Sequence, residues 1–544
     1  MPRVNFGPQE FQAVGALSPG RAVFDLSNAR ALPADFGYLY PVLAEEVVPG
    51  DVFSLSADVV ARMMPSIAPV MHEVNIFIHY WFVPFRLLWP KVDESGDDWE
   101  SYITGGEHGD NSAVLPLWTP PPGGYPEGSL WDYFGLPTGV VPHSSVLPYA
   151  FLKRAYNLVY NEWYRDQNLI DPVDIDADEF HLRAWEKDYF TSAMLSQQKG
   201  IPPALPISGT THAEFEGGVT IFAKQSGTFD PLAYPQYSGF AVSTAGDVSP
   251  WVVGNQNAAA PGTGPINNAN LIAPKDAPSG SGQKGLSDNT VDLSVASTFD
   301  IADLRLAFQV QKWMERNMRA GTRYTEYLQA HFGVSPRDSR LQRPEYIGGV
   351  KSPVIIGEVL QTSETGDTPQ GNLAGHGISV SRQHGGRYRS EEFGLILGLL
   401  SVMPRSMYSQ GVDRQFIRQT RFDFYSPEFA HLSEQAVYKG ELFVDGTSAD
   451  GEIFGYQGRH QEYRSRQSKP VGKLRGDLGY WNLSRDFATR PALNQSFIEV
   501  ESQVLKERFL AVPSEPAFLV TVGNRVIASR PMPGLAEPGL IDHF

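Results

Sequence analysis

The strongest periodic signal along this chain is that of a strand. In "VNIFIHYWFVP" (residues 74–84), Ile76, Ile78, Tyr80 and Phe82 fall on one face, and Phe77, His79 and Trp81 on the other. Both faces are apolar, so the alternation predicts a strand covered on both sides, as in a sandwich packed against further elements. Further strands are predicted in "DVFSLSADV" (residues 51–59), "QAVYKGELFV" (residues 435–444) and "AFLVTVGNRVIAS" (residues 517–529). In the last of these, Gly523-Asn524 reads as a hairpin turn. Helical spacing is rarer. It appears over residues 151–170, with Leu152, Ala155, Leu158 and Val159 on one face, and over residues 300–320. There Asp300 suits an N-cap, and Asp303 places negative charge in the first turn. Gly321 breaks that helix, and a second, shorter one is predicted to end with Gly333 at its C′ position. Glycines (52) and prolines (42) are spread between short apolar runs, which predicts a β-rich fold with long loops.

Residues 241–290 differ from the rest: they are rich in Gly, Pro, Ala, Asn and Ser, with Trp251 as the one aromatic and Lys275 and Lys284 as the cations. Such a stretch cannot bury much apolar surface by itself. It reads either as a linker between two domains or as a surface loop inserted into one. The strand-rich, arginine-rich sequence on both sides favours insertion.

At 544 residues the chain exceeds one ordinary domain of roughly 100–200 residues. Its 42% hydrophobic content is enough for sizeable cores, and its 19% charged content lies below the usual ~25%. Fewer charges mean less surface facing water, which points toward assembly. The net charge of −17 excludes a uniformly basic nucleic-acid binder and leaves room for local basic patches. Arginine outnumbers lysine, 31 to 13, and its planar fork suits interface ion pairs and phosphate contacts; plain surface arginine is the simpler account. The absence of cysteine excludes disulfides and cysteine metal sites. The first residues lack the apolar core of a signal peptide. "FGLILGLLSVM" (residues 393–403) is well short of the ~18 residues needed to span a bilayer. A soluble protein made in a cytoplasm, without membrane insertion, is expected.

The chemical motifs are weak. "GSGQKG" (residues 280–285) matches G-x-G-x-x-G but lacks the strand before and the helix after that a nucleotide site needs, so a loop tip is the better reading. Asp174, Asp176 and Asp178 begin like a calcium loop, but Glu179 and Trp185 occupy its obligatory Gly and Glu positions. His72-Glu73 has no second histidine, and His79 reads as a packed core residue. No catalytic residue, metal site or cofactor is predicted. Basic character concentrates in Arg459, Arg464, Arg466, Lys469, Lys473 and Arg475, against Glu462 alone. With Tyr463 among them, these residues suit either stacking on single-stranded nucleic acid or a network of Arg, Tyr and Glu within or between chains.

Several unusual strings carry a family resemblance. "FGYQGRHQEYR" (residues 454–464) and "LQRPEYIGG" (residues 341–349) resemble signature stretches of the major capsid proteins of the Microviridae, especially the gokushovirus-like branch. "VVPGDVFSL" (residues 47–55), "YWFVPFRLLW" (80–89), "RAYNLVYNEWYRDQNL" (154–169) and "DYFTSAM" (188–194) match in the same order. So do "LRLAFQVQKWMERNMRAGTRYTEYLQAHFGV" (304–334) and "TRFDFYSPEFAHLSEQAV" (420–437). The resemblance spans the chain except residues 201–295 and the last forty or so.

The resemblance implies a mainly β fold, an eight-stranded antiparallel viral jelly roll with long insertions and a few helices. Residues 1–200 and 296–544 would form it, and residues 201–295 an inserted surface protrusion at the three-fold axis, exposing Trp251, Asn268, Lys275 and Lys284. It implies a structural protein, not an enzyme: sixty copies building a T=1 icosahedral shell around circular single-stranded DNA, with the protrusions meeting a receptor on the bacterial host. A small basic DNA-binding viral protein and minor capsid proteins are further expected partners. The protein would be synthesised in the host cytoplasm and reside in the virion. Tyr456, Gln457, Arg459, Tyr463 and Arg464 are then expected at a subunit interface, and Arg466, Lys469, Lys473 and Arg475 facing the DNA. A β-sandwich enzyme or binding module acting on glycans is the alternative.

Overall fold

The computed structural model describes residues 20–91, 97–104, 114–203, 301–360 and 373–535, together with the backbone of three short strands between them. The chain divides into two compact units, residues 1–199 with 314–544, and residues 200–313.

The first unit is built on antiparallel strands. In chain order they are β1 (Ala22–Asp25), β2 (Asn28–Ala34), β3 (Tyr40–Val47), β4 (Val52–Met63) and β5 (Val74–Pro84). The second unit contributes β6 (Ile221–Lys224), β7 (Gly239–Phe240) and β8 (Asn270–Ile272), a three-stranded antiparallel sheet in the order β7-β6-β8. The first unit then continues with β9 (Glu345–Leu360), β10 (Leu373–Arg389), β11 (Gly394–Pro404), β12 (Glu434–Tyr438), β13 (Ile453–Gly458) and β14 (Phe518–Arg530).

The main strands follow the path β1-β14-β4-β10-β9-β5-β11-β3, with β2 also on β14. The sheet curls where β9 meets β10, giving two four-stranded halves, β2-β14-β4-β10 and β9-β5-β11-β3. Phe53, Leu55 and Val59 of β4 and Val522 of β14 share one buried core with Ile76, Ile78 and Phe82 of β5 and Val402 of β11. The halves therefore pack face to face as a sandwich. Consecutive strands repeatedly change halves, and the order in each half is that of an eight-stranded jelly roll.

The second face of the β5–β11 half is covered as well. Trp81, Val83, Leu395, Leu397 and Leu399 pack there against Trp118, Trp131, Phe151, Tyr156 and Tyr160, the last three supplied by the helix Phe151–Val159 and the π-turn that follows it. That is why both faces of β5 are apolar and why β11 is buried throughout. Two glycines make room at the centre. A Cβ on Gly385 would stand 2.5 Å from the Tyr80 ring, and one on Gly398 3.0 Å from its other edge.

Two local readings give way. Gly523-Asn524 makes no turn: β14 runs straight through, pairing Gly523 with Asp58 and Ala29 on its two neighbours. The Asn524 side chain donates to the Val42 carbonyl at 2.8 Å, so long-range pairing overrides the local turn preference. The stretch over 435–444 is a strand only as far as Tyr438, after which Lys439–Leu442 form a helical turn. The helix over 300–320 is Ile301–Ala320, and the next, Tyr324–Phe332, ends at left-handed Gly333 (φ 67°). Among the described residues, no helix is long and apolar enough to cross a membrane.

Candidate functional site

Strands β12 and β13 pair antiparallel, Gln435 opposite Gln457, over a small core that includes Tyr189, Phe190, Tyr408, Val437, Phe454 and Phe497. After β13 the chain reverses at His460, one of two non-glycine residues with positive φ (61°) among those described. It then enters the single turn Gln461–Tyr463.

The reversal is held by a buried polar knot. Glu462 accepts a hydrogen bond from Arg418 Nη2 at 3.0 Å on one oxygen and from Gln435 Nε2 at 2.9 Å on the other. The Gln435 carbonyl oxygen accepts from the His460 backbone N–H at 3.1 Å. Burial pushes the Glu462 carboxyl up, but the Gln435 bond and the Arg418 charge outweigh it, so the group is held below the usual carboxylate range. The buried His460 ring is pushed down by burial, against the pull of Glu462; its Nδ1 lies 3.8 Å from that carboxylate, beyond hydrogen-bond length.

Aromatic residues cover the knot. The Arg418 guanidinium sits over Phe424 at 5.2 Å and Tyr463 at 4.9 Å, and Arg421 over Phe422 at 4.9 Å. Tyr425 lies edge-on to His460. Phe416, Phe422, Phe424, Tyr425 and Tyr463 are each more than half exposed. This loop was missed as a site in the sequence. Its signal was the density of aromatics and arginines in "RQFIRQTRFDFY" (residues 414–425), which follows no helical or strand period.

The residues expected at an interface divide in two. Tyr463 and Arg464 are exposed. Gln457 is buried, and its amide donates to the Tyr189 carbonyl at 2.7 Å and to Ser192 Oγ at 2.9 Å. Tyr456 is half-buried and exchanges backbone hydrogen bonds with Met194. Half-buried Arg459 donates to the Phe422 carbonyl at 3.1 Å. Gln457, Tyr456 and Arg459 thus fasten the loop to its own chain, and Tyr463 and Arg464 face outward.

The residues expected to face DNA also differ from one another. Lys469 is paired with Asp413 at 2.6 Å. Arg475 is exposed and donates to the Pro470 carbonyl at 3.1 Å. Arg466 and Lys473 are exposed and have no ion pair among the described residues. Trp251, Asn268, Lys275 and Lys284, like the glycine motif over 280–285, lie outside the described residues.

A cleft of about 340 Å³ lies nearby, lined among others by Trp185, Arg485, Asp486, Phe497, Glu499 and Arg508. Arg485 is buried there with its charge met by ring faces, 4.3 Å from Phe497 and 4.9 Å from Trp185. Asp486 is engaged by Arg508 at 2.8 Å.

The family model described as "Capsid protein (F protein)" matches residues 14–540. The chain is 35% identical to capsid protein VP1 of Chlamydia phage 1, over 97% of each chain. It is 32% identical to capsid protein VP1 of Bdellovibrio phage phiMH2K, over 98% of each. To capsid protein VP1 of Spiroplasma virus 4 it is 30% identical, over 93% of this chain and 92% of the other.

Proposed function

Because this chain belongs to the capsid protein (F protein) family, and is thus a structural, non-enzymatic major capsid protein of Microviridae virions, we propose that sixty copies close into a T=1 icosahedral shell around a circular single-stranded DNA genome. The observation that carries the assembly reading is the exposed aromatic patch of Phe416, Phe422, Phe424, Tyr425 and Tyr463 beside Arg418 and Arg421. Aromatics and arginine are the residues enriched at interface cores and hot spots. A contiguous exposed apolar patch on a soluble chain marks an interaction surface. Tyr463 and Arg464 are its outward members on the β13 side, and Tyr456, Gln457 and Arg459 hold the loop that presents them. Heterologous contacts of this kind close into rings when the rotation permits.

Residues 201–295 fall in sequence between β5 and β9, and we assign them to a protrusion at the three-fold axis that meets a receptor on the bacterial surface. Arg466, Lys473 and Arg475, with Lys469 already held by Asp413, are assigned to the DNA side. A small basic viral protein and minor capsid proteins would share that side. Synthesis and assembly would occur in the host cytoplasm. Imaging and sedimentation of the purified full-length protein test the reading. Closed shells of uniform size are expected; a chain that stays monomeric at high concentration would sink it.

A further inference from the structure

The two halves of the sandwich are covered unequally. β5 and β11 are buried on both faces, whereas β4 and β14 alternate buried and accessible positions along their length. Alternation and register fix which side chains share the outward face of β14, β4 and β10. Arg382 stands opposite Asp58, which stands opposite Gly523. The next row is His384, Ser56 and Arg525, then Arg387, Ser54 and Ile527, then Arg389, Val52 and Ser529. In the other direction, Ile378 is opposite Arg62, which is opposite Leu519. Register also puts Asp25 of β1 opposite Ile527 on this face.

Five exposed arginines, Arg62, Arg382, Arg387, Arg389 and Arg525, thus share one sheet face with two aspartates, Asp25 and Asp58. The whole chain has the opposite balance, 61 acids to 44 bases. Only Arg382 has a carboxylate partner, Asp58 at 3.5 Å. Arg62, Arg387, Arg389 and Arg525 have none among the described residues. Neighbouring strands are about 4.8 Å apart, and residues two apart on a strand about 6.8 Å. Arg387 and Arg389 are therefore held about 7 Å apart, inside a Debye length, and Arg525 about 12 Å from Arg387, on a rigid surface that forbids them to separate. Such a grid calls for a partner carrying repeated negative charge. Ser54, Ser56 and Ser529 lie between the arginines and can donate to phosphate oxygens.

We propose that the outward face of β4, β10 and β14 binds the phosphate backbone of the packaged single-stranded DNA. This rests on the reading that the shell encloses such a genome, and it locates a contact surface outside the 466–475 loop. The described face carries no Phe, Tyr or Trp on which a base could stack, so recognition is by charge and independent of sequence. An acidic segment of a neighbouring subunit is a poorer fit. Interface cores need apolar anchors beside the charges, and most of the exposed apolar residues here, Val60, Ile378, Val380 and Leu519, lie at the other end, beyond the Asp58–Arg382 pair, which leaves Ile527 and the half-buried Val52 as the apolar side chains among the arginines of these three strands.

The test uses the full-length chain, an oligodeoxythymidylate probe and a series of salt concentrations. The variant Arg387→Ala/Arg389→Ala/Arg525→Ala is compared with Arg387→Lys/Arg389→Lys/Arg525→Lys. With a salt slope of about 0.7 per single-strand phosphate contact, losing three contacts lowers the slope by roughly 2. The lysine variant should keep the original slope, and particles of the alanine variant should hold less DNA. If the triple alanine chain does not fold, Arg389→Ala alone should lower the slope by about 0.7. An unchanged slope overturns the proposal. So does failed shell closure with unchanged DNA binding, which would make the face a subunit contact. A native chain without salt-dependent binding, forming DNA-free shells, would instead overturn the genome-enclosing reading itself.

Discussion

Oε1 of Glu462 lies 3.0 Å from Nη2 of Arg418, and both side chains are more than nine-tenths buried. The pair ties the turn Gln461–Tyr463 to the loop carrying Phe422 and Phe424. Truncating one partner of a buried pair strands the other, which costs about 3–5 kcal/mol. Glu462→Ala should therefore lower stability by that order in denaturant unfolding. Glu462→Gln, which keeps an acceptor for Arg418, should lose less. Equal unfolding midpoints for Glu462→Ala and the native chain would show that the knot does not hold the loop.

Tyr463, Phe422 and Phe424 behave differently, because they are exposed in the single chain. Replacing any of them by alanine should cost the chain about 1 kcal/mol at most, the worth of its contact with Arg418 or Arg421. At a subunit contact the same truncation costs about 2 kcal/mol or more, a weakening of some thirtyfold per contact. The expected outcome is a normally folded protein that sediments as small species where the native chain forms shells. Native shell yield from all three variants would remove this patch from the interface.

The physical reason some features were legible in the sequence and others were not is range. β5 could be read because its two apolar faces are local, and Gly333 because a left-handed helix end needs glycine. Gly523-Asn524 misled because the preference for a turn is local, whereas β14 is held by β4 and β2, each hundreds of residues away. Arg418 and Glu462 are 44 residues apart, and no spacing rule links them. The arginines of the outward sheet face belong to three strands, so their grouping exists only once register is fixed. The basic run over 459–475 was visible as composition, but not that Asp413 neutralises Lys469.

Residues 245–290 are assigned above to a host-facing protrusion. Shortening them should leave shell formation intact and reduce adsorption to host cells, measured as unbound particles after mixing. Loss of assembly in the shortened chain would count against a purely receptor-facing role.

Acid should destabilise the chain through its buried histidines. His72 is pushed down to about 4, chiefly by burial. Its Nε2–H donates to the Arg405 carbonyl at 2.6 Å, and Nδ1 accepts from the Leu483 N–H at 3.4 Å, so protonating Nδ1 costs that bond. His181 is likewise pushed down to about 4 by burial. Both pKa values are lower folded than unfolded, where histidine titrates near 6.5. Their contribution is therefore complete above about pH 6.5 and is lost as the pH falls toward 4, by up to a few kcal/mol per histidine. Unfolding midpoints should fall over that window, and less steeply in His72→Gln. A midpoint constant between pH 6.5 and 4 would contradict this.

His181 also depends on one fully buried amide. The Asn157 Nδ2 donates to the Ile175 and Ala177 carbonyls, both at 2.8 Å, and its Oδ1 accepts from His181 Nε2 at 2.7 Å. One side chain thus satisfies the buried His181 ring and two part-buried carbonyls, and it fastens the helix Phe151–Val159 to the segment that follows. That helix covers the second face of the β5–β11 half, so its loosening would expose Trp81 and Leu397 of the sandwich. Asn157→Ala removes all three bonds and leaves the buried His181 N–H unpaired, at about 1–3 kcal/mol, with a smaller cost for each of the two part-buried carbonyls. A loss of about 2–4 kcal/mol in unfolding free energy is expected. Asn157→Asp should restore the bond from His181 but set a carboxylate against two carbonyl oxygens, so it should recover only part of the loss. It should also raise the His181 pKa, moving the acid transition upward in pH. If Asn157→Ala unfolds with the native free energy, these bonds do not hold the helical layer in place.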